Sequence, residues 1–318
     1  MRVILLGTAA GGGYPQWNDA GPVARRAWRQ DPAAPRRTQS SIAVAADGPG
    51  PPRWLLLNCS PDIRQQILAN PALHPGALHP GDEHPGGEGT DGSLRHSPIS
   101  DILVTNGDVD HVGGLLSLRE RTPFGLWASA AVHRILRDNP IFGVLADGVV
   151  ARHELPLDSP MTIAGLTVTL FPVPGKVPLY MEGATVEVGA ETDAVVGVSV
   201  SDPATGGRLC YLPGCAAMPG HLLNRLADAD ALLFDGTLWT DDEMIALGVG
   251  TKTGRRMGHM PISGSGGSLE ALAGLNLRQR VFVHINTTNP VLLADSAERR
   301  IVEQAGWLVG QDGMELVL

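Results

Sequence analysis

The chain predicts an α/β fold in which two β-sheets pack face to face with helices on their outer surfaces. Three observations carry this expectation. Apolar runs of strand length recur through both halves of the 318 residues. Each half also carries its own helix-start signals, and helices need a sheet face to cover. No stretch of linker composition separates the halves, so 1–318 reads as a single domain with a flexible insertion at about 70–98.

The elements follow in order. Arg2–Leu6 is the first strand. Its apolar run, Val3 to Leu6, is too short for the core of a signal peptide, and Gly11–Gly13 then break the pattern into a turn. Ser41–Ala45 and Trp54–Leu57 are the next strands. Ser60-Pro61-Asp62 starts a helix. Ser60 serves as N-cap, Pro61 takes the first helical position where a missing N–H costs nothing, and Asp62 faces the positive end of the dipole. Ile63, Ile67 and Leu68 share its inner face. Asn70–Ser97, rich in Pro, Gly and His, reads as a mobile surface loop. Its His74, His79, His84 and His96 are spaced too irregularly to read as a metal site.

Ile102–Thr105 is the next strand, and a helix after His111 turns Leu115, Leu116 and Leu118 inward. Leu166–Pro172, Val195–Val200 and Arg208–Leu212 are strands. A helix from about Pro219 to Asp228 then buries Leu222, Leu223 and Leu226. Strands Ala231–Phe234 and Val281–Val283 flank a helix over about Ser268 to Leu275, and a last helix covers about Ser296 to Gln304. Trp307–Leu318 reads as a hairpin turning at Gln311-Asp312-Gly313.

Composition narrows the function classes. With 43% hydrophobic and 18% charged residues the chain is globular, and no apolar run approaches the roughly 20 residues that span a bilayer. A net charge of −9 argues against broad binding to nucleic acid or anionic membranes. Three cysteines, Cys59, Cys210 and Cys215, give no disulfide framework. With no export signal, the expected compartment is the cytoplasm.

The chemistry gathers at strand ends. Asp108, Asp110 and His111 follow directly on Ile102–Thr105, where two carboxylates and an imidazole can meet on one divalent cation. The same residues would also serve as a helix cap. Repetition favours the metal reading. Asp235-Gly236-Thr237, His284-Ile285-Asn286 and Pro213-Gly214-Cys215 each end an apolar run, and His259 sits in a Gly-flanked turn. Strand ends are where α/β architectures build their sites. His133, His153 and His221 lack that setting and read as surface residues. Gly11-Gly12-Gly13 has neither the GxGxxG spacing nor a GK[ST] ending, so it reads as a close backbone approach rather than a nucleotide loop.

These residues carry a resemblance. Asn106-Gly107-Asp108-Val109-Asp110-His111 is similar to an altered HxHxDH motif of the metallo-β-lactamase superfamily. Asn106 and Asp108 stand where the motif has its first two histidines; Asp110, His111 and the later His284 match its remaining ligands. The chain more closely resembles the pyrroloquinoline quinone (PQQ) biosynthesis protein B family. Matching segments are LGTAAGGGYPQWN at Leu6–Asn18, RTQSSIAV at Arg37–Val44, SPDIRQQI at Ser60–Ile67 and TNGDVDHVGGLLSLRE at Thr105–Glu120. PGKVPLY at Pro174–Tyr180, FDGT at Phe234–Thr237, GVGTKTGRRMGH at Gly248–His259 and VHINTTNP at Val283–Pro290 continue the match.

The resemblance implies a four-layer αββα sandwich and a place in PQQ biosynthesis. It implies an iron- and oxygen-dependent hydroxylase acting on the tyrosine ring of a Glu–Tyr-derived intermediate, with other PQQ biosynthesis proteins as candidate partners. It leaves two alternatives: a carrier of PQQ or a precursor towards the periplasm, and a zinc metallo-hydrolase. Family members usually follow QWN with a Cys-x-Cys-x-x-Cys cluster that holds a structural zinc. Here Asp19-Ala20-Gly21-Pro22-Val23-Ala24 follows, so that zinc is expected to be absent. Arg25, Arg26 and Trp28 must then be held by packing or by a partner chain. With two motif histidines replaced, one Fe(II) is expected, bound mainly by Asp110, His111 and His284, with Asp108 near it or coordinating. His259 is the expected acid–base group, and Asp235 either orients it or serves as a ligand.

Overall fold

A computed structural model describes residues 1–76, 95–182 and 188–318. In chain order the strands are β1 (Arg2–Gly7), β2 (Ser41–Ala45), β3 (Trp54–Leu57), β4 (Ile99–Leu103), β5 (Phe124–Ala128) and β6 (Val150–Glu154). They continue with β7 (Met161–Ile163), β8 (Leu166–Gly175), β9 (Ala190–Ser201), β10 (Arg208–Leu212), β11 (Ala231–Asp235), β12 (Gln279–Val283), β13 (Leu308–Val309) and β14 (Glu315–Val317). The first seven-stranded sheet runs β14-β1-β2-β3-β4-β5-β6 and the second runs β13-β12-β11-β10-β9-β8-β7. Pairing is parallel from β3 to β6 and from β10 to β13, and antiparallel elsewhere.

Successive side chains of a strand point to opposite faces, so each central strand feeds two cores. Leu55 and Leu57 of β3 enter the core between the sheets, while Trp54 and Leu56 enter the core under the first sheet's helices. Leu233 and Val281 point between the sheets, while Phe234 and Phe282 face the helices of the second sheet. Three apolar cores between four layers give the αββα sandwich. They also explain why the central strands read as unbroken apolar runs.

Several elements depart from expectation. The C-terminal segment is no hairpin. β13 pairs with β12 in the second sheet and β14 pairs with β1 in the first, so Gln311–Gly313 crosses between layers. Asp312 fastens that crossing by accepting hydrogen bonds from Thr8 Oγ1 at 2.8 Å and from the Thr38 N–H at 2.6 Å. β5, β6 and β7 escaped the sequence reading because they lie at or next to the sheet edges, where burial is only partial and the apolar run is broken. The helix Ala130–Asp138 escaped as well, although Ser129 caps it by accepting from the Val132 N–H and Val132, Ile135 and Leu136 line its buried face. His133 lies on that face, and its Nε2 meets the His153 carbonyl at 2.8 Å, so it is buried rather than superficial. Leu68 does not share the inner face of its helix; it is 60% exposed. The helix expected over Ser268 to Leu275 stops at Ala271. The centre of the expected insertion, 77–94, lies outside the described residues, with His79 and His84; at its near end Asn70 and Leu73 are buried.

Where relatives were expected to carry cysteines, the segment is held by its own chain. The Arg26 guanidinium forks onto both oxygens of Asp295 at 2.7 and 2.8 Å, while its Nε donates to Asp31 at 2.6 Å. Asp19 accepts from the Gly21 N–H at 2.7 Å and from Thr287 Oγ1 at 2.9 Å. The Trp28 indole N–H reaches the Asp19 carbonyl at 2.8 Å, and Arg25 reaches the Ala20 carbonyl at 3.0 Å.

Phe282 is fully buried and stacks on Trp307 with ring centroids 4.1 Å apart. Phe282→Ala is expected to cost about 3–5 kcal/mol of unfolding free energy, measured by chemical denaturation. A cost below about 1 kcal/mol would show that this outer core repacks freely.

Candidate metal centre

Six loops meet at the cavity among the described residues. One follows β1, one β4, one β8, and one each of β10, β11 and β12. Backbone bonds tie these loops across the two sheets. The Val196 N–H donates to the Thr105 carbonyl at 3.0 Å, and Thr8, Ala10 and Ile285 exchange bonds at 2.9 Å. Gly12 and Gly13 adopt φ of 93° and 72°, which lets the first loop turn tightly beside the site. Gly11 comes close to Asp110: a Cβ there would lie 3.6 Å from its Cγ. His284 itself takes φ 55°, a left-handed conformation that costs a β-carbon residue energy and turns its ring inward from the end of β12.

The structure brings together most of the residues singled out from sequence. Asp110, His111 and His284 place one ligand atom each within 4.8 Å of one another, and Asp235, His259 and His284 do the same. His284 Nε2 lies 3.0 Å from Asp110 Oδ2, and His111 Nε2 lies 3.6 Å from the same oxygen. The His111 and His284 rings meet edge to face at 5.4 Å, and those of His259 and His284 stack at 5.1 Å. Asp108 lines the same cavity of about 470 Å³ without joining either cluster. Cys215 stands aside as a ligand: its buried thiol donates to the Ala217 carbonyl at 3.0 Å, and burial pushes its pKa up.

Each imidazole is anchored through Nδ1. The Oδ1 atom of Asn106 accepts from the Asp108 N–H at 3.0 Å, which identifies it as the oxygen. It therefore accepts from His111 Nδ1 at 2.7 Å as well. Thr237 Oγ1 donates to Asp235 Oδ1 at 2.6 Å, leaving a lone pair for His284 Nδ1 at 2.9 Å. Asp235 Oδ2 accepts from His259 Nδ1 at 2.7 Å. His111 and His259 thus carry their proton on Nδ1 and keep an Nε2 lone pair, while His284 Nε2 donates to the ionised Asp110 carboxylate, a proton that a metal ion would displace. The Nε2 atom of His111 is buried with no hydrogen-bond partner among the described residues, a costly state for a polar atom unless something binds there. Imidazole nitrogens and a carboxylate are donors that suit Fe(II) or Zn²⁺, so the residues present fit a metal ion. Asn106 and Thr237 were not assigned roles from sequence; their signal was only that they flank residues of ligand type.

The electrostatics agree with an ionised Asp110 and a neutral His111, while His284 is held towards its charged form by Asp110. Burial opposes ionisation of Asp110, but His111 and the His284 hydrogen bond outweigh it and hold its carboxyl well below the usual range. Burial lowers His111 to about 4, against the pull of Asp110. For His284 burial also disfavours the charge, but the hydrogen bond and charge of Asp110 prevail and its pKa rises. Asp108 is pushed up to about 6 by burial and by the nearby Asp110.

The loop after His284 rests on Glu243, which accepts from the Trp239 N–H at 2.7 Å and from Thr288 Oγ1.

Family and structure comparisons agree with this geometry. Residues 53–285 match the family model described as Beta-lactamase superfamily domain. The chain is 54% identical to Coenzyme PQQ synthesis protein B of Methylobacterium nodulans, with 100% of each sequence covered. It is similar to the crystal structure of Zn²⁺-bound PqqB from Methylobacterium extorquens, at 52% identity and a TM-score of 0.92 over 100% of each chain. A diphosphatase of the PhnP family, 19% identical with a TM-score of 0.66 over 100% of this chain and 97% of its own, shares the fold.

Two measurements follow. Asn106→Ala removes the acceptor that fixes the His111 tautomer, so metal affinity should fall about 10–100-fold in a chelator-competition titration, while Asn106→Asp, which keeps an acceptor, retains more of it. Unchanged affinity in Asn106→Ala would remove the orienting role. Glu243 supplies the other: burial raises its carboxyl from 4.5 to about 7, against the hydrogen bonds of Thr288 and Trp239. A carboxyl raised on folding contributes stability below its unfolded value and loses it as pH rises through the folded value. Glu243→Gln should therefore gain stability relative to the native protein as pH rises from 4.5 to about 7, read from denaturant melts across that interval. A difference that does not vary with pH would count against a raised value.

Proposed function

The chain belongs to the coenzyme PQQ synthesis protein B family of the β-lactamase superfamily, and we propose that within PQQ biosynthesis it is an iron- and oxygen-dependent hydroxylase of a tyrosine ring. The substrate in this reading is a small Glu–Tyr-derived intermediate. The observation that carries it is the Asp110–His111–His284 cluster, two imidazoles and one carboxylate, with an orphaned Nε2 on His111. That donor set suits Fe(II), and the three residues would hold it at the floor of the cavity the substrate would enter.

One metal per site fits better than two. Asn106, standing where the superfamily has a histidine, spends its oxygen on His111 and the Asp108 N–H. Asp235 has both oxygens engaged, by the Cys215 and Thr237 N–H groups, Thr237 Oγ1 and His259. It would have to surrender those bonds to become a ligand. Asp110, His111 and His284 would hold the iron, which when bound would activate oxygen: one oxygen atom goes to the ring, and the other leaves as water with two electrons from an external reductant and two protons.

The remaining work falls to the chain's own side chains. His259 keeps Nε2 free beside the cluster and takes the phenol proton there. Asp235 holds His259 in that tautomer and stabilises the imidazolium that forms. Asp108 offers the cavity a further polar contact for the substrate. The family's structural zinc does not fit here: residues 19–24 hold no cysteine, Asp19 is already hydrogen-bonded, and Arg26 brings a positive charge beside them.

The zinc in the Methylobacterium extorquens relative keeps a hydrolase as the second reading. Reconstitution under nitrogen with Fe(II) or with Zn²⁺, followed by addition of oxygen, ascorbate as two-electron reductant and glutamyl-tyrosine, separates the two. Oxygen uptake and a hydroxylated ring are expected with iron alone, with one metal per chain and no second tightly held zinc. His259→Ala should slow turnover about 10²–10⁴-fold without loss of metal. Equal product with zinc under nitrogen would exclude the oxygenase. A His111→Ala protein that still binds PQQ but makes no product would count against a simple carrier.

A further inference from the structure

The wall of the metal-centre cavity also carries a cluster of opposite charge. Lys176, which follows the end of β8, and Lys252, which precedes the helix Gly254–Met257, both line the cavity. Between them stands Glu182. Its Oε1 lies 3.1 Å from Lys176 Nζ and its Oε2 lies 3.0 Å from Lys252 Nζ. Arg256 Nη2 approaches the same carboxylate at 3.7 Å. Among the described residues, three cations gather at this one carboxylate, in a chain whose net charge is −9.

Those cations are not saturated. Lys176 is only 12% exposed and spends its ammonium on Glu182 and the Val177 carbonyl. Lys252 donates to Glu182 alone among the described residues, and Arg256 Nη1 is buried with no hydrogen-bond partner. An ammonium has three N–H donors, so both lysines keep donors in reserve. Partly buried charge left unmatched is costly, and an anionic ligand would match it. The resident Glu182 shows which anion the spacing suits: one carboxylate spans the two ammoniums, one oxygen to each.

We propose that Lys176 and Lys252 form a subsite for a carboxylate of the substrate, with Glu182 as the resident counter-charge. This rests on the amino-acid-derived substrate of the reading above and deepens it. A carboxylate held here fixes one end of the ligand, while the cavity of about 470 Å³ leaves room for its ring to reach the Asp110–His111–His284 cluster. Orientation of this kind is how a charged handle remote from the reacting atoms contributes to turnover.

The test measures binding, not turnover. Glutamyl-tyrosine and glutaminyl-tyrosine amide, which lacks both carboxylates, are titrated calorimetrically into zinc-loaded protein under nitrogen. Lys252→Met should weaken the acid about tenfold and leave the amide unchanged. Glu182→Gln, which removes the competing carboxylate, should hold or tighten the acid, and added salt should weaken only the acid. The proposal is overturned if Lys252→Met affects neither ligand or both alike, or if Glu182→Gln loses the acid, because Glu182 would then be a structural strap. Inorganic phosphate displacing the dipeptide more effectively than glutarate would overturn the carboxylate assignment in favour of phosphate. Iron-loaded protein that takes up no oxygen, yet still shows the Lys252→Met discrimination, would sink the oxygenase and leave this subsite standing.

Discussion

Three imidazoles at one end of the sandwich each give their Nδ1 proton to a fixed oxygen: Asn106 for His111, Thr237 for His284 and Asp235 for His259. A neutral imidazole has one donor and one acceptor, so anchoring the first nitrogen decides what the second can do. The metal-binding capacity of the site depends on this constraint. It also explains an arrangement that would otherwise be expensive, in which Asp110, Asp235, His111 and His284 sit with almost no access to solvent. Burying such groups is tolerable because nearly every polar atom among them has a partner, and the exception, His111 Nε2, sits where an ion would be bound.

The two sheets make that constraint enforceable. Parallel strands β10, β11 and β12 end side by side, and β4 brings the Asp108–His111 loop to them from the other layer. Strands buried on both faces are rigid platforms, so a short loop after each one inherits their precision. His284 shows the cost. Its left-handed backbone is strained, and it is held by the Ile285 pairing, Thr237 and the loop braced on Glu243.

Electrostatics divide the cavity into two parts. The imidazole–carboxylate cluster gathers donors that suit a cation, while Lys176, Lys252 and Arg256 outnumber the one carboxylate they share. The net charge of −9 conceals this second part, because a sum over a chain says nothing about where its charges focus. The N-terminal segment around residues 19–31 is held by charge as well. It is fastened by the Arg26 fork between Asp31 and Asp295, a directional contact that closes the segment onto the loop following Asn289.

The sequence by itself determined the class of fold, the central strands and the residues of ligand type, because alternation, turn chemistry and strand-end position are local properties. It determined as well that residues 19–24 lack thiolates, since that needs no coordinates. Short edge strands such as β7 left little trace, and the last twelve residues looked like a hairpin although their strands belong to different sheets. Which groups face one another was decided only by the tertiary structure. Asn106 and His111 lie five residues apart, but Thr237 and His284 lie 47 apart and Asp110 and His284 lie 174 apart. Roles such as orienting an imidazole, or sharing a carboxylate between two lysines, are properties of distance in space. A linear pattern records which donors exist, while packing alone decides which lone pair each one meets.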